Sequence, residues 1–128
     1  MISLGDVVGD PMVYFEMPAD DVERAKRFYE RVFDWKIDYI PRIDYHSVQT
    51  KDSSGDGIDG GLIQRKAAGQ PIMNYVRVAS IEDCSKSIVE SGGTMVLDRQ
   101  EVPGFGAYAI FRDTEGNLVG MHERQRTR

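Results

Sequence analysis

The chain has 128 residues, enough for one compact domain or for two small modules that share a core. A formal net charge of -5, with 41% hydrophobic and 29% charged residues, is typical of a soluble globular protein and argues against nucleic acid as a partner. No apolar run approaches the roughly 20 residues that span a bilayer, and the single cysteine, Cys84, excludes an intrachain disulfide, so we expect a cytoplasmic protein without a membrane partner.

The first half of the chain predicts a strand, a helix and three more strands. Apolar residues recur at helical spacing between a capping aspartate and Phe33, whereas the flanking stretches alternate with the period of a strand. A polar, glycine-rich loop separates the last two strands. The predicted elements are a strand over 12–17 ended by Pro18, a helix capped by Asp20 or Asp21, and strands over 35–40, 45–50 and 60–65 with the loop at 51–59.

The second half predicts the same order of elements. Gly116 and Asn117 are residue types that readily take positive φ, so the segment around them is typical of a hairpin turn. The repeated order predicts an internal βαβββ duplication within one domain, 1–128, with module one at about 12–65 and module two at about 72–124. The predicted elements are a strand over 72–78, a helix from the Ser80 cap to Glu90 ended by Gly92 and Gly93, a strand over 94–97, a loop over 101–106, and a hairpin of Tyr108–Phe111 and Leu118–Met121.

Three stretches carry a family resemblance: FEMPADDVERAKRFYERVFDWKI near the start, YVRVASIEDCSKSIVESGG in the middle and FRDTEGNLVG near the end. Together with the paired βαβββ order, they resemble the vicinal oxygen chelate superfamily, which includes glyoxalase I, the bleomycin-resistance proteins, extradiol dioxygenases and methylmalonyl-CoA epimerase. The resemblance implies an α+β fold in which two βαβββ modules form a curved mixed sheet around a concave cavity, with the helices outside.

The same resemblance bears on metal binding. Metal enzymes of the superfamily usually place histidine or glutamine on the first strand of a module and glutamate or a related oxygen ligand on its last strand. Those positions fall here near Tyr14, near Gly60 or Gly61, near Asn74 or Tyr75, and at Gly120. None of these is a usual ligand of a divalent ion, so we predict a cavity without the metal and without another cofactor.

Two pairs of residues are the first candidates for the site. Glu16 shares a strand face with Tyr14, and superposing the two modules matches Tyr14 with Tyr75 and Glu16 with Arg77. Glu16 is a candidate catalytic base, and Arg77 a candidate ligand for a carboxylate or phosphate group. The alternative interpretation is a structural ion pair between Glu16 and Arg77.

The closing hairpin supplies the remaining candidates. His122 lies two residues beyond Gly120 and shares its face, so it is either a second catalytic residue or a histidine at the rim of the sheet. Tyr108, together with Tyr14 and Tyr75, lines a flat pocket for an apolar or aromatic ligand or else fills the core. Gly120 leaves space for a ligand or relieves crowding in a curved strand.

The leading hypothesis is a glyoxalase-like protein that binds a small-molecule ligand in its cavity without the usual divalent metal. It either sequesters the ligand or transfers protons through Glu16 or His122. One alternative is a metal-dependent lyase, isomerase or dioxygenase with ligands among Glu16, His46, His122 and Glu123, which requires the two histidines to converge. Another is an assembly or regulatory module, and pairing into a homodimer stays open.

Overall fold

The computed structural model describes residues 9–125, and within them two helices and eight strands follow in an order that repeats once. A short 3₁₀ turn, Pro41–Ile43, joins the second strand to the third. The predicted α+β architecture, with βαβββ order twice, is confirmed. The elements are β1 (Met12–Ala19), α1 (Val22–Phe33), β2 (Lys36–Ile40), β3 (Tyr45–Gln49) and β4 (Asp59–Gln64), then β5 (Met73–Arg77), α2 (Ile81–Glu90), β6 (Thr94–Val102), β7 (Gly106–Arg112) and β8 (Leu118–Glu123).

The chain divides into two compact units. The first unit comprises residues 13–75, and the second comprises residues 9–12 and 76–125 of the described chain, so β5 begins in one and ends in the other. In the first unit the hydrogen-bonded strand order is β1-β4-β3-β2, with β1 and β4 parallel and the other pairs antiparallel. In the second unit the order is β5-β8-β7-β6. Each unit therefore places its first strand beside its fourth.

The core of the first unit lies between α1 and one face of its strands. The helix begins where the Asp21 side chain accepts a hydrogen bond from the Arg24 N–H at 3.0 Å, and it ends at Asp34 in the left-handed conformation. Val22, Ala25 and other α1 side chains pack on this core. Its buried members are Met17, Ala19, Ile37, Val48 and Leu62.

The core of the second unit lies between α2 and its strands in the same manner. Ser80 caps α2 by accepting a hydrogen bond from the Asp83 N–H at 3.2 Å, as predicted. Cys84 and Ile88 of the helix pack on the buried residues. In the closing hairpin, Ala109 and Phe111 face this core, as the alternation of β7 predicts. The buried members are Val78, Ile81, Ala107, Ala109 and Met121.

Two local predictions are wrong. Pro18 does not end β1, because Pro18 and Ala19 stay in register with the parallel strand β4. The segment 101–106 is not all loop, because β6 continues to Val102 and pairs there with Gly106. The predicted hairpin turn is confirmed: Gly116 adopts φ 84°, and the side-chain amide of Asn117 donates to Asp113 at 3.0 Å.

Candidate functional site

The face of the first unit that points away from α1 carries Glu16 and three tyrosines. In β1, Phe15 and Met17 pack into the core beside α1, so Tyr14 and Glu16 project to the opposite face. In β3, buried Val48 faces α1, so Tyr45 projects with Glu16. We call this surface the tyrosine face; it consists of Tyr14, Glu16, Tyr45, Gly61 and Tyr75.

Glu16 lies at the centre of the tyrosine face and is held by two phenols. The Tyr45 hydroxyl donates to Glu16 Oε2 at 2.9 Å, and the Tyr75 hydroxyl donates to Oε1 at 3.2 Å. The three residues come from β1, β3 and β5, so only the folded sheet brings them together. Each carboxyl oxygen retains a further lone pair with which it can accept from a ligand.

The surroundings favour the protonated form of Glu16. Burial raises the pKa of the Glu16 carboxyl above its usual value, while the hydrogen bonds from Tyr45 and then Tyr75, and the charge of Lys66, oppose that rise. Burial also raises the pKa of Tyr45 far above its usual value, and the neighbouring Glu16 carboxylate adds to the effect. Tyr45 therefore stays a neutral hydrogen-bond donor to Glu16.

Tyr14 and Tyr75 form the aromatic part of the tyrosine face. Their rings stack with centroids 4.4 Å apart and planes inclined by only 8°. Tyr75 is 2% exposed, whereas Tyr14 is half-buried. The stack fixes the Tyr75 ring and so directs its hydroxyl to Glu16. The contacts around Glu16 are thus made by aromatic side chains, which have few rotatable bonds.

The second unit carries the other predicted site residues on the face opposite α2. Val76 and Val78 pack on the α2 core, so Arg77 between them projects to the opposite face. Tyr108 pairs with His122 across β7 and β8, and Ile110 pairs with Gly120. The His122 ring is held by a hydrogen bond between Nε2 and the Phe105 carbonyl, at 3.0 Å. The predicted sharing of one face by Gly120 and His122 agrees with this register, and their roles stay predictions.

The metal-ligand set of the alternative hypothesis does not converge. His46 lies on the α1 side of β3, 4.9 Å from the Tyr39 ring and 4.0 Å from Glu23 of α1, and so on the face opposite Glu16. Glu123 is 3% exposed and accepts hydrogen bonds from the Ile81 N–H at 2.9 Å and from Arg99 at 3.0 Å. Among residues 9–125, no three histidine, cysteine, aspartate or glutamate side chains are grouped to hold a metal ion. The described residues therefore do not provide the ligand set that the superfamily's divalent ion usually takes.

Tyr45 is the site residue that sequence reasoning missed. The sequence leaves the facing of His46 open, and Tyr45 stands only as the start of a strand. The signal is nevertheless present: Val48 is the one apolar aliphatic residue of β3, so it marks the core side, and Tyr45 lies three residues before it on the other side. The side of the sheet on which Tyr45 lies can thus be predicted from sequence only by taking Val48 alone to mark the core side.

A separate cleft lies on the α1 side of the first unit. It has a volume of about 380 Å³, and its walls include Ala25, Phe28 and Arg65. Arg65 is held there by Asp20, with Nε 2.9 Å from Oδ1. None of the residues of the tyrosine face lines this cleft. It is therefore a different surface from the one that carries Glu16.

The repeated strand order defines an α+β protein built from a duplicated βαβββ unit. The chain belongs to the Glyoxalase/Bleomycin resistance protein/Dioxygenase superfamily, whose family model matches residues 12–121. The predicted family is thus confirmed. No helix in the described part of the chain has the length and apolar character needed to cross a membrane.

Individual relatives agree with this assignment. A glyoxylase-like domain-containing protein from Didymella fabae is 30% identical over 115 residues, which cover 85% of this chain and 90% of the relative. A hypothetical protein from Bacillus halodurans has a similar fold, with a TM-score of 0.67 at 14% identity, over 93% of this chain and 97% of the other. Methylmalonyl-CoA epimerase from Mycobacterium tuberculosis matches with a TM-score of 0.64 at 12% identity, over 98% and 94% of the two chains.

Proposed function

We propose that the protein binds a small molecule on the tyrosine face and that Glu16 exchanges a proton with it without the superfamily's divalent metal. The observation that supports the proposal best is the carboxyl of Glu16, half-buried, held by two phenols and raised in pKa. Proton-transfer residues work best when their pKa lies near the working pH, and an ordinary glutamate lies well below it. Burial raises the pKa of Glu16 and so brings it closer to the working pH.

The proposed step involves only groups of the tyrosine face. The Glu16 carboxylate takes a proton from a C–H group next to a carbonyl, the electron pair of that bond moves into the carbonyl as an enolate, and Glu16 becomes a carboxylic acid. Return of a proton from Glu16 to the same face of the carbon restores both the carboxylate and the C–H bond. Tyr45 and Tyr75 hold the carboxyl in place through both forms, since a hydroxyl can donate to the carboxylate and accept from the acid.

The comparisons support this class of chemistry only at the level of fold. One similar structure is named as a methylmalonyl-CoA epimerase from Streptomyces coelicolor in complex with 2-nitronate-propionyl-CoA, at 10% identity and a TM-score of 0.63. An epimerase inverts a stereocentre, and removal and return of a proton is one route to that result. For this chain the choice of Glu16 comes from its own contacts.

Sequestration is the second candidate, and the aromatic stack favours it. Tyr14 and Tyr75 present a rigid aromatic surface beside a carboxyl group, which suits binding of an apolar or aromatic ligand as well as chemistry. Under this proposal the same face binds the ligand but no C–H bond breaks.

We also propose that the protein works in the cytoplasm. Its single cysteine, half-buried Cys84, is consistent with a reducing compartment.

Deuterium exchange tests the proton-transfer proposal. Methylmalonyl-CoA and pyruvate serve as simple C–H acids in D₂O, and mass spectrometry follows deuterium incorporation at carbon. We expect exchange above the uncatalysed rate, rising with pH through the pKa of Glu16 because the base acts in its ionised form, and a loss of at least about 100-fold in Glu16→Gln, the usual size of a general-base contribution.

Glu23→Gln is the matched control, because Glu23 lies on α1, on the opposite side of the sheet from Glu16. Equal exchange rates in Glu16→Gln and the native chain would contradict the proposal. So would a Glu16 pKa at or below the usual glutamate value, measured by NMR of ¹³C-labelled glutamate without any ligand. Binding of a probe without exchange would favour sequestration instead.

A further inference from the structure

Gly61 lies on β4, between the strands that carry Glu16 and Tyr45. It is in register with Glu16 on the parallel strand β1 and with Ser47 on the antiparallel strand β3. A β-carbon at Gly61 would overlap the hydroxyl of Tyr45 and would lie 2.7 Å from Cε2 of its ring. The Tyr45 side chain therefore runs across the backbone of β4 through the volume that any other residue at position 61 would fill.

We infer that Gly61 is a positioning residue: by lacking a side chain it leaves open the volume through which the Tyr45 hydroxyl reaches Glu16. Gly61 does not need the backbone freedom of glycine, because it is not among the described glycines with positive φ. A close approach of another group is the usual remaining reason for glycine inside a strand. Here that group is a phenol that bonds a carboxyl group.

The inference predicts how the proton affinity of Glu16 is set. The charged and titratable groups that act on Glu16 are Tyr45 from β3, Tyr75 from β5 and Lys66 beyond β4. Among these, the hydrogen bond from Tyr45 lowers the pKa of Glu16 most. Without that hydrogen bond, less opposes the rise in pKa that burial causes. Displacing Tyr45 should therefore raise the pKa of Glu16 further, and removing the Tyr75 hydroxyl should raise it less.

Gly60 provides a matched control within the same strand. A β-carbon at Gly60 would also be crowded, but by Phe15: it would overlap the backbone carbonyl oxygen of Phe15 and would lie 2.6 Å from the ring carbon Cδ2 on the α1 side. Gly60→Ala thus introduces a clash with Phe15 instead of with Tyr45, since none of the three atoms nearest to that β-carbon belongs to Tyr45. Any effect on Glu16 that depends on Tyr45 should be absent from this variant.

The experiment measures the pKa of Glu16 by NMR of ¹³C-labelled glutamate in the full chain, with the Glu16→Gln spectrum identifying its signal. We expect Gly61→Ala and Tyr45→Phe each to raise that pKa, the double variant Gly61→Ala/Tyr45→Phe to match Tyr45→Phe alone, and Gly60→Ala to leave it unchanged. An unchanged pKa in Gly61→Ala, or fully additive shifts in the double variant, would overturn the inference.

A second measurement applies if Gly61→Ala folds poorly. Thermal unfolding of Gly61→Ala in the native background and in a Tyr45→Ala background gives the coupling between the two positions. We expect most of the loss of melting temperature caused by Gly61→Ala to vanish when Tyr45 is truncated, since the overlapping ring is then gone. An equal loss in both backgrounds would contradict the inference.

This inference rests on the proposed function for its relevance to activity, but its test needs no ligand. Should the Glu16 pKa respond to Gly61 and Tyr45 while no C–H acid exchanges deuterium, the proposed function fails and the positioning role stands. Should exchange occur through Glu16 while its pKa ignores Gly61, the positioning role fails and the proposed function stands. The two outcomes are therefore distinguishable.

Discussion

The Glu16 carboxyl illustrates how a single buried acid makes stability depend on pH. Because burial raises its pKa in the folded protein above the unfolded value, the folded chain binds this proton more tightly than the unfolded chain does. The contribution of Glu16 to stability is therefore fully present below the unfolded pKa, near the usual glutamate value, and is lost as the pH rises through the folded pKa.

Glu16→Gln should remove this dependence. The amide oxygen of glutamine can still accept from Tyr45 and Tyr75, but the side chain never ionises. We expect the variant to melt at about the same temperature as the native chain at pH 4 and a few degrees higher at pH 8, by differential scanning calorimetry. A native chain whose advantage over Glu16→Gln grows with rising pH would contradict the raised pKa.

Among the elements, α2 depends on a contact that reaches far along the sequence. Its first backbone N–H group, that of Ile81, donates to the buried carboxylate of Glu123 in β8 instead of to solvent. Arg99 of β6 binds the other carboxylate oxygen at 3.0 Å. One side chain thus joins the start of α2 to two strands of the second unit, and acidic charge near a helix N-terminus is favourable in itself.

Glu123→Ala should destabilise the protein strongly for that reason. It leaves the Ile81 N–H and the half-buried Arg99 guanidinium without their carboxylate, and breaking such a buried pair costs about 3–5 kcal/mol. Urea unfolding followed by circular dichroism measures the loss. Arg112→Ala, whose side chain makes an exposed bond to the Gly116 carbonyl, is the control and should change little. A loss below about 1 kcal/mol in Glu123→Ala would show that this contact does not anchor α2.

The elements also show what the sequence can predict. Both helices, their caps and the hairpin were predictable because they depend on neighbours within a few residues, such as Asp21 with Arg24 and Ser80 with Asp83. The second half of β6 was not, because its exposed charged residues resemble a loop while long-range pairing with β7 holds it extended. The hydrogen bond from Tyr45 to Glu16 joins residues 29 positions apart, and no local pattern encodes it.

At the scale of the whole molecule, the same topology occurs twice with different side chains. The Glu16 and tyrosine cluster of the first unit has no counterpart of the same residues in the second, where Arg77, Tyr108 and His122 occupy the strands. The two units thus share an order of strands and helices but differ in their side chains. The fold alone does not determine the chemistry of either unit. The family could be predicted from sequence because membership depends on the order of strands and helices, which both units share.

The whole molecule should also be indifferent to divalent metals. The described residues offer no group of three suitable ligands, so neither excess chelator nor added nickel, zinc, manganese or iron(II) should shift the melting temperature by more than about 1 °C. Thermal shift assays on untagged protein, with metal analysis of the same sample, check this expectation. A tightly bound ion near one per chain, or stabilisation by several degrees, would contradict the metal-free proposal.

Trp35 is the sole tryptophan of the chain, and it lies among the rings of the first unit, 5.0 Å from Tyr29 and 5.4 Å from Phe33 between centroids. Its emission is therefore a natural optical reporter for residues 13–75, while circular dichroism reports on the backbone of both units. If the two signals change together during denaturation, the duplicated halves melt as one cooperative body. If fluorescence changes first or last, one half can persist after the other has come apart.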